Sequence, residues 1–371
     1  MADFLKQRLQ RISAAGTYRE LTGQVTGVDF WSNDYLGLAR EGAVALPENL
    51  PSGASGSRSI SGDGAELQAL EGRVAVYHGF PAALLFPSGY SANLGLLSAL
   101  LRRTDTIVYD ELIHASCRDG IRLGQGRALR FRHNDAADLR RQLERTRPDG
   151  QRFVLTEGRF SMDGDPAPLG ELAAVCAEYA AHLIVDEAHS GGLDGPGGRG
   201  LVAGLGLTDR VFASVITYGK AFGSHGAAVL GGTHLRDYLV NTCRPFIYST
   251  APAPAQVHGI ATAYSRLERL HPERKRLLDD CVVHFREAVA SAGLERFVPP
   301  VSGPIQIVQL PGNGEVMRVE AACRSAGLLV KGIRSPTVAA GRERIRICLH
   351  AYNTEVEVDR LVNVLVGQLT G

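Results

Sequence analysis

His182-Leu-Ile-Val-Asp-Glu-Ala-His189 and Val215-Ile-Thr-Tyr-Gly-Lys220 are the two pieces on which the fold of this chain turns. Leu183, Ile184 and Val185 make a short apolar run, as in a strand buried on both faces of a parallel sheet. The run stops abruptly at Asp186, Glu187 and His189. The second piece repeats the pattern: Val211 to Ile216 is apolar, then comes Lys220. Ligands of open α/β sheets bind at the carboxyl ends of such strands. The two pieces therefore predict one sheet edge carrying an acid, an imidazole and an amine.

Outward from this centre the chain alternates strand and helix. Ala82 to Phe86 reads as a buried strand, Pro87-Ser88-Gly89-Tyr90 as a turn, and Ser91 to Leu101 as a helix. A glycine turn opening a helix offers unpaired N–H groups and the positive end of the macrodipole to an anion, here a cofactor phosphate. Thr106 to Tyr109 is the next strand, and His114 follows its end, where an imidazole can stack on a flat ring. Strands at Ala128–Phe131 and Arg152–Thr156 follow, with helices at Asp135–Arg145 and Pro168–Ala180. Glu157 to Gly164 leaves the second of these strands, Gly191 to Gly200 is a glycine-rich loop, and Ala227–Leu230 is a further strand. This alternation predicts an α/β chain with a parallel or mixed sheet and helices on both faces. The small-residue loop at 52–64 lacks the G-x-x-x-x-G-K-[ST] pattern, and no G-x-G-x-x-G follows a first strand. Neither a P-loop nor a nicotinamide site is supported.

The acid and the amine suggest a particular chemistry. An amine whose pKa is lowered by its surroundings can bond covalently to an aldehyde. Pyridoxal phosphate supplies such an aldehyde and needs an acid beside its ring nitrogen. Asp186 fits the acid and Lys220 the amine. Either alone would read as a helix cap or a solvated lysine. Placed together at two strand ends, with His189 nearby, they point to a site.

The chain has 371 residues, 44% hydrophobic and 21% charged, an ordinary globular composition with room for two or three domains. A net charge of +1 implies no broad basic surface, which argues against nucleic acid as a partner. No apolar run is long enough to span a bilayer, and Met1 to Arg11 lacks the apolar centre of a signal peptide. Six scattered cysteines without a C-x-x-C pair fit small buried residues in a reducing cytoplasm, and no metal site is expected. Residues 1–40 read as an N-terminal arm or small-domain segment that opens on an amphipathic helix. Residues 41–255 read as the large domain, which ends in the proline-bearing Arg244–Pro254. Residues 256–371 read as a linking helix and a smaller α/β domain with Arg334 and Arg346 at or in its strands. Arginine matches a carboxylate bidentately, and Asn33, in a turn, has an amide to offer.

Ser161-Met-Asp-Gly-Asp165, Val185-Asp-Glu-Ala-His189, Gly197-Gly-Arg-Gly200, Thr217-x-Gly-Lys220-Ala-Phe-Gly223 and Ser335-Pro-Thr-Val338 resemble the α-oxoamine synthases. The resemblance runs from Asn33 to Leu365. It implies the fold-type I, aminotransferase-like architecture: a large domain with a mostly parallel seven-stranded sheet and a smaller C-terminal domain. It implies a pyridoxal-phosphate acyltransferase that condenses an amino acid with an acyl thioester and releases CO₂. L-Alanine with a pimeloyl thioester, on coenzyme A or a carrier protein, is the closest match through Arg244–Thr250 and Phe131–Asn134. Glycine or serine with another acyl thioester remains open.

By the same resemblance Lys220 holds the cofactor aldehyde, Asp186 its ring nitrogen, and His114 stacks on the ring. His189 and Ser161 lie near the phenolic oxygen. Ser88, Gly89, Tyr90 and Thr217 contact the phosphate, together with Thr250 from the second subunit of a homodimer with a shared site. Asn33 and Arg346 surround the substrate carboxylate, and Arg19 and Arg334 lie on the substrate side. The serine usual before the lysine is Gly219 here, and His225 has no assigned role.

Overall fold

The computed structural model describes residues 3–21, 23, 25–147 and 149–370. Two compact units divide the chain. The larger comprises Leu36–Ser161 and Pro166–Lys275, the smaller Met1–Tyr35, Met162–Asp165 and Arg276–Gly371. The sequence boundaries at 40/41 and 255/256 compare with divisions at 35/36 and 275/276, because the helix Pro254–Ser291 runs on through the second boundary.

In chain order the strands are β1 (Val28–Asp29), β2 (Ala82–Phe86), β3 (Thr106–Asp110), β4 (Arg127–Phe131), β5 (Arg152–Glu157), β6 (His182–Asp186), β7 (Ala213–Thr217) and β8 (Ala227–Gly231). They continue as β9 (Ile305–Gln309), β10 (Leu328–Leu329), β11 (Lys331–Ile333) and β12 (Arg344–Cys348). The larger unit holds a seven-stranded sheet in the order β2-β8-β7-β6-β5-β3-β4. Neighbours pair in parallel from β7 to β4, and only β8 runs against both of its partners. The mostly parallel seven-stranded sheet of a fold-type I chain is therefore present.

β2, β7 and β8 are buried at every position, as continuous Val/Ile/Leu/Ala runs require of strands covered on both faces. β4 is an edge strand, largely exposed, and carries Arg127 and Arg130, charges that discourage further strand pairing. The turn from β7 to β8 is short because antiparallel neighbours need no crossover helix. It is closed by Tyr218 N–H to Gly226 O (2.9 Å), Ser224 N–H to Tyr218 O (2.8 Å) and Gly223 N–H to Lys220 O (2.8 Å).

Among the described residues, Ala115–Leu123 and Thr233–Thr242 are the longer helices that escape the sequence patterns; the four-residue helices Leu201–Gly204 and Arg244–Ile247 escape them too. The first is polar and contains Gly120, which weakens any helical signal. Its formation is tertiary: it lies against the helix Gly89–Leu100, and Leu97, Cys117 and Ile121 share one buried cluster with Ile107, Leu155 and Ile184.

The smaller unit carries the antiparallel sheet β11-β12-β9 and the parallel pair β1-β10. Arg344, buried on β12, ion-pairs with Asp163 and donates to Met162 O (3.1 Å), which anchors the Ser-Met-Asp-Gly motif. Gly164, at φ 80°, presses on Ile305 O, where a Cβ would lie at 2.3 Å. The helix Asp3–Ala14 buries none of its side chains. Among the described residues no helix is long and apolar enough to cross a membrane.

A Cβ on Gly120 would meet Asn93 O at 2.9 Å and Leu94 Cα at 3.1 Å, both backbone atoms of the facing helix. Gly120→Ala should therefore cost about 1–3 kcal/mol. A urea midpoint equal to that of the unsubstituted protein would show that the two helices have room to part.

Candidate active site

β6 ends on Asp186, whose neighbours in register are Glu157 on β5 and Val215 on β7. The three strands thus bring two carboxylates together at one sheet edge. Asp186 is 3% exposed. Its Oδ2 accepts from Asn93 Nδ2 (2.7 Å) and from the Cys117 thiol (3.8 Å), and its Oδ1 accepts from Ala188 N–H (2.9 Å). Lys220 sits in the β7–β8 turn, and its Nζ lies 2.8 Å from His189 Nε2. His189 is itself buried, three residues beyond Asp186. The acid, imidazole and amine predicted from the two quoted pieces therefore all lie in the larger unit, with the amine and imidazole in hydrogen-bond contact.

Glu157 is an addition to that set. It is buried, and one carboxyl oxygen accepts from His114 N–H at 2.6 Å; Ser161 N–H is a second donor. Burial raises its pKa well above the usual carboxylate range; Asp186 adds to this and Lys220 opposes it. His114 opens the helix Ala115–Leu123, with Nδ1 2.8 Å from Ser116 Oγ. The ring has an open side, yet desolvation by the surrounding chain lowers its pKa, assisted by Lys220 and opposed by Asp186.

The helix Gly89–Leu100 begins with a capping box between Ser88 and Ser91. That box uses the N–H groups of Ser88 and Ser91 and leaves those of Gly89 and Tyr90 without a partner among the described residues. A Cβ on Gly89 would strike Thr217 Cγ2 at 2.5 Å, so glycine is what lets the helix start approach the end of β7. The Tyr90 hydroxyl donates to Asp119, and Thr217 Oγ1 donates weakly to Ala188 O (3.4 Å). Thr250 is exposed and bridges in antiparallel fashion to Ser57. Gly219 has an ordinary φ and open space around its would-be Cβ, so packing does not demand glycine there. His225 is exposed. An anion fits at the unpaired amides of Gly89 and Tyr90, a protonated ring nitrogen at Asp186, and an aldehyde at Lys220. This donor set matches pyridoxal phosphate.

Asn33, Arg346, Arg334 and Arg19 belong to the smaller unit. Arg346 is buried on β12, and its Nη2 donates to Asn33 Oδ1 (2.9 Å) and Tyr35 Oη (3.4 Å). Tyr35 in turn donates to Asn33 Oδ1 (3.1 Å). Arg334 donates to Gly16 O (3.1 Å), and Arg19 is exposed. The structure thus joins Arg346 to Asn33 and leaves Arg19 and Arg334 outside that cluster. The roles of Asn93, Ser116 and Tyr35 had no sequence signal: each is a small polar or aromatic residue that gains meaning only from its partner.

Glu187, next to Asp186, is 1% exposed and accepts from Val202 N–H (2.8 Å) and the hydroxyls of Ser190 (3.3 Å) and Ser214 (3.4 Å). Gly200, at φ 96°, allows this approach, since a Cβ there would sit 2.3 Å from the carboxylate. Burial raises its pKa from 4.5 to about 7. The folded state therefore holds the proton more tightly than the unfolded chain. That stability is fully present below pH 4.5 and is lost as pH rises through 7. Glu187→Gln should flatten this part of the stability profile between pH 4.5 and 7, read by urea unfolding at stepped pH. Identical slopes for the two proteins would show that Glu187 ionises as if exposed.

Residues 25–365 match the family aminotransferase class I and II. The chain is 42% identical to the 8-amino-7-oxononanoate synthase of Alkalilimnicola ehrlichii over 354 residues, covering 93% of this chain and 89% of that protein. It is 37% identical to the enzyme of the same name from Emericella nidulans, covering 100% of this chain and 96% of the relative. Among solved structures, the Sphingomonas wittichii serine palmitoyltransferase superposes with a TM-score of 0.84 at 27% identity, covering 99% of this chain and 96% of that one. The 8-amino-7-oxononanoate synthase of Francisella tularensis superposes at 0.78 and 29% identity, covering 93% and 98%. With its lysine, aspartate and glycine-opened helix placed as described, the chain belongs to the aminotransferase class I and II family and, within it, to the α-oxoamine synthases.

Proposed function

We propose that this chain condenses L-alanine with a pimeloyl thioester, on coenzyme A or an acyl carrier protein, to give 8-amino-7-oxononanoate, CO₂ and the free thiol. This is a step of biotin biosynthesis, carried out in the cytoplasm by a homodimer. The observation that carries the chemistry is the Lys220 amine, in contact with His189 in the unit that also buries Asp186 at the end of β6. Identity of 37–42% to 8-amino-7-oxononanoate synthases supports the choice of substrates.

When bound, pyridoxal phosphate supplies an electron-accepting ring that stabilises negative charge at the amino-acid α-carbon. Asp186 would hold the proton on its ring nitrogen, and Lys220 its aldehyde carbon. The amides of Gly89 and Tyr90 and the hydroxyls of Ser88 and Thr217 would hold its phosphate, with Thr250 of one protomer serving the other. Ser161 and His189 would serve the phenolic oxygen, and His114 would cover the ring face. Lys220 Nζ takes the proton from alanine Cα as general base. Arg346 and Asn33 orient the alanine carboxylate, which departs as CO₂ after the acyl group has transferred. His114 or Lys220 returns a proton to that carbon. Arg334 and Arg19 would lie on the substrate side.

A sister reaction of serine with a long-chain acyl thioester is the second reading, favoured by the higher TM-score to serine palmitoyltransferase. Product masses from alanine, glycine and serine, each offered pimeloyl, acetyl and palmitoyl coenzyme A, separate the two. Alanine with pimeloyl coenzyme A should be turned over fastest; a preference for serine with palmitoyl coenzyme A would sink the assignment. Lys220→Ala should lower turnover at least about 10²–10⁴-fold, the usual contribution of a positioned base. Arg346→Lys should raise the KM for alanine about tenfold and change kcat less, because one ammonium replaces a planar fork. An unchanged KM would place the carboxylate elsewhere.

A further inference from the structure

Asn93 lies in the second turn of the helix Gly89–Leu100, and Ser116 near the start of the helix Ala115–Leu123. Both are buried, at 3% and 1% exposure. Asn93 Nδ2 reaches two oxygens at once, Asp186 Oδ2 at 2.7 Å and Ser116 Oγ at 3.0 Å. Ser116 Oγ is in turn 2.8 Å from His114 Nδ1. The residue expected on the cofactor ring and the residue expected at its nitrogen are thus joined through Asn93 and Ser116.

The direction of the hydrogens follows from chemistry. A carboxylate only accepts, so the amide nitrogen of Asn93, and not its oxygen, must face Asp186. Its second proton goes to Ser116 Oγ. That hydroxyl, already accepting, has its own proton left to donate, and the atom in reach is His114 Nδ1. A second observation agrees: Ser116 N–H also donates into His114 Nδ1, at 3.2 Å. Two donors aimed at one ring nitrogen leave no room for a proton on it.

The geometry points to Asn93 as a positioning residue that holds Asp186 and, through Ser116, fixes His114 as the neutral tautomer with its proton on Nε2. His114 then presents a hydrogen-bond donor at Nε2, and its lone pair at Nδ1 is taken up by Ser116. The groups that bear on the ring charge are Asp186, Asp119 and Lys220, with Glu157 holding its backbone N–H. The inference deepens the proposed function and rests on it for the identity of the cofactor.

The test is long-range ¹H–¹⁵N correlation on histidine-labelled protein, full chain, without cofactor or substrate, with the His114 signals identified by loss in His114→Gln. The expected result is a bare Nδ1 and a protonated Nε2. Donors to Nδ1 stabilise the neutral ring, so removing them raises its titration midpoint. Ser116→Ala and Asn93→Leu should each raise it by about half a pH unit, the scale of one modest hydrogen bond. Asn93→Leu should also weaken equilibrium binding of pyridoxal phosphate about tenfold by freeing Asp186. A proton on Nδ1 in the unsubstituted protein, or unmoved midpoints in both variants, overturns the tautomer assignment. Unchanged cofactor binding in Asn93→Leu overturns the hold on Asp186. Ser116→Ala removes one oxygen and keeps the test alive if Asn93→Leu does not fold. The tautomer is read without turnover, so a failed condensation assay would count against the proposed substrates and leave this result standing.

Discussion

Three carboxylates buried at the ends of two neighbouring strands dictate the rest of this site. Glu157, Asp186 and Glu187 leave water almost completely, which is costly unless each finds donors. Each finds them on a different segment. Glu157 collects the N–H groups of His114 and Ser161, from the loops after β3 and β5. Asp186 collects Asn93 and the Ala188 amide. Glu187 collects Val202, Ser190 and Ser214, and so pins the glycine-rich loop. The loops that carry the chemistry are thus fixed by the acids beneath them, while the apolar strands supply only the platform.

Much of this was legible in the order of residues. Leu183–Val185 and Val215–Ile216 announce buried strands because they are short apolar runs rich in β-branched residues, as suits strands covered on both faces. Asp186, His189 and Lys220 stand out because each follows such a run. What was not legible depends on contacts distant in sequence. The helix Ala115–Leu123 carries a glycine and few apolar residues, and forms because Gly120 lets it lie against its neighbour. Asn93 reads as an unremarkable helix residue until Asp186, far along the chain, is seen within 2.7 Å of its amide. Glu157 gains a role only from the register that sets it beside Asp186.

Fold and chemistry separate in the comparisons. The scaffold superposes more closely on a serine palmitoyltransferase than on an 8-amino-7-oxononanoate synthase, at TM-scores of 0.84 and 0.78. Identity across the chain points the other way, with 42% to a member of the second group. Backbone likeness reports how strands and helices stack, and related enzymes with different substrates share it. Choice of amino acid resides in a handful of side chains that superposition does not weigh.

The reversed strand β8 bears on how Lys220 can behave. Most strand ends in this sheet lead into loops that must travel to a helix and back. Lys220 instead occupies a tight turn clamped on both sides by main-chain bonds between β7 and β8. An amine that must release one partner and take up another can do so here by swivelling its own methylene chain. The main chain that carries this amine is fixed by those bonds, whichever partner the amine takes.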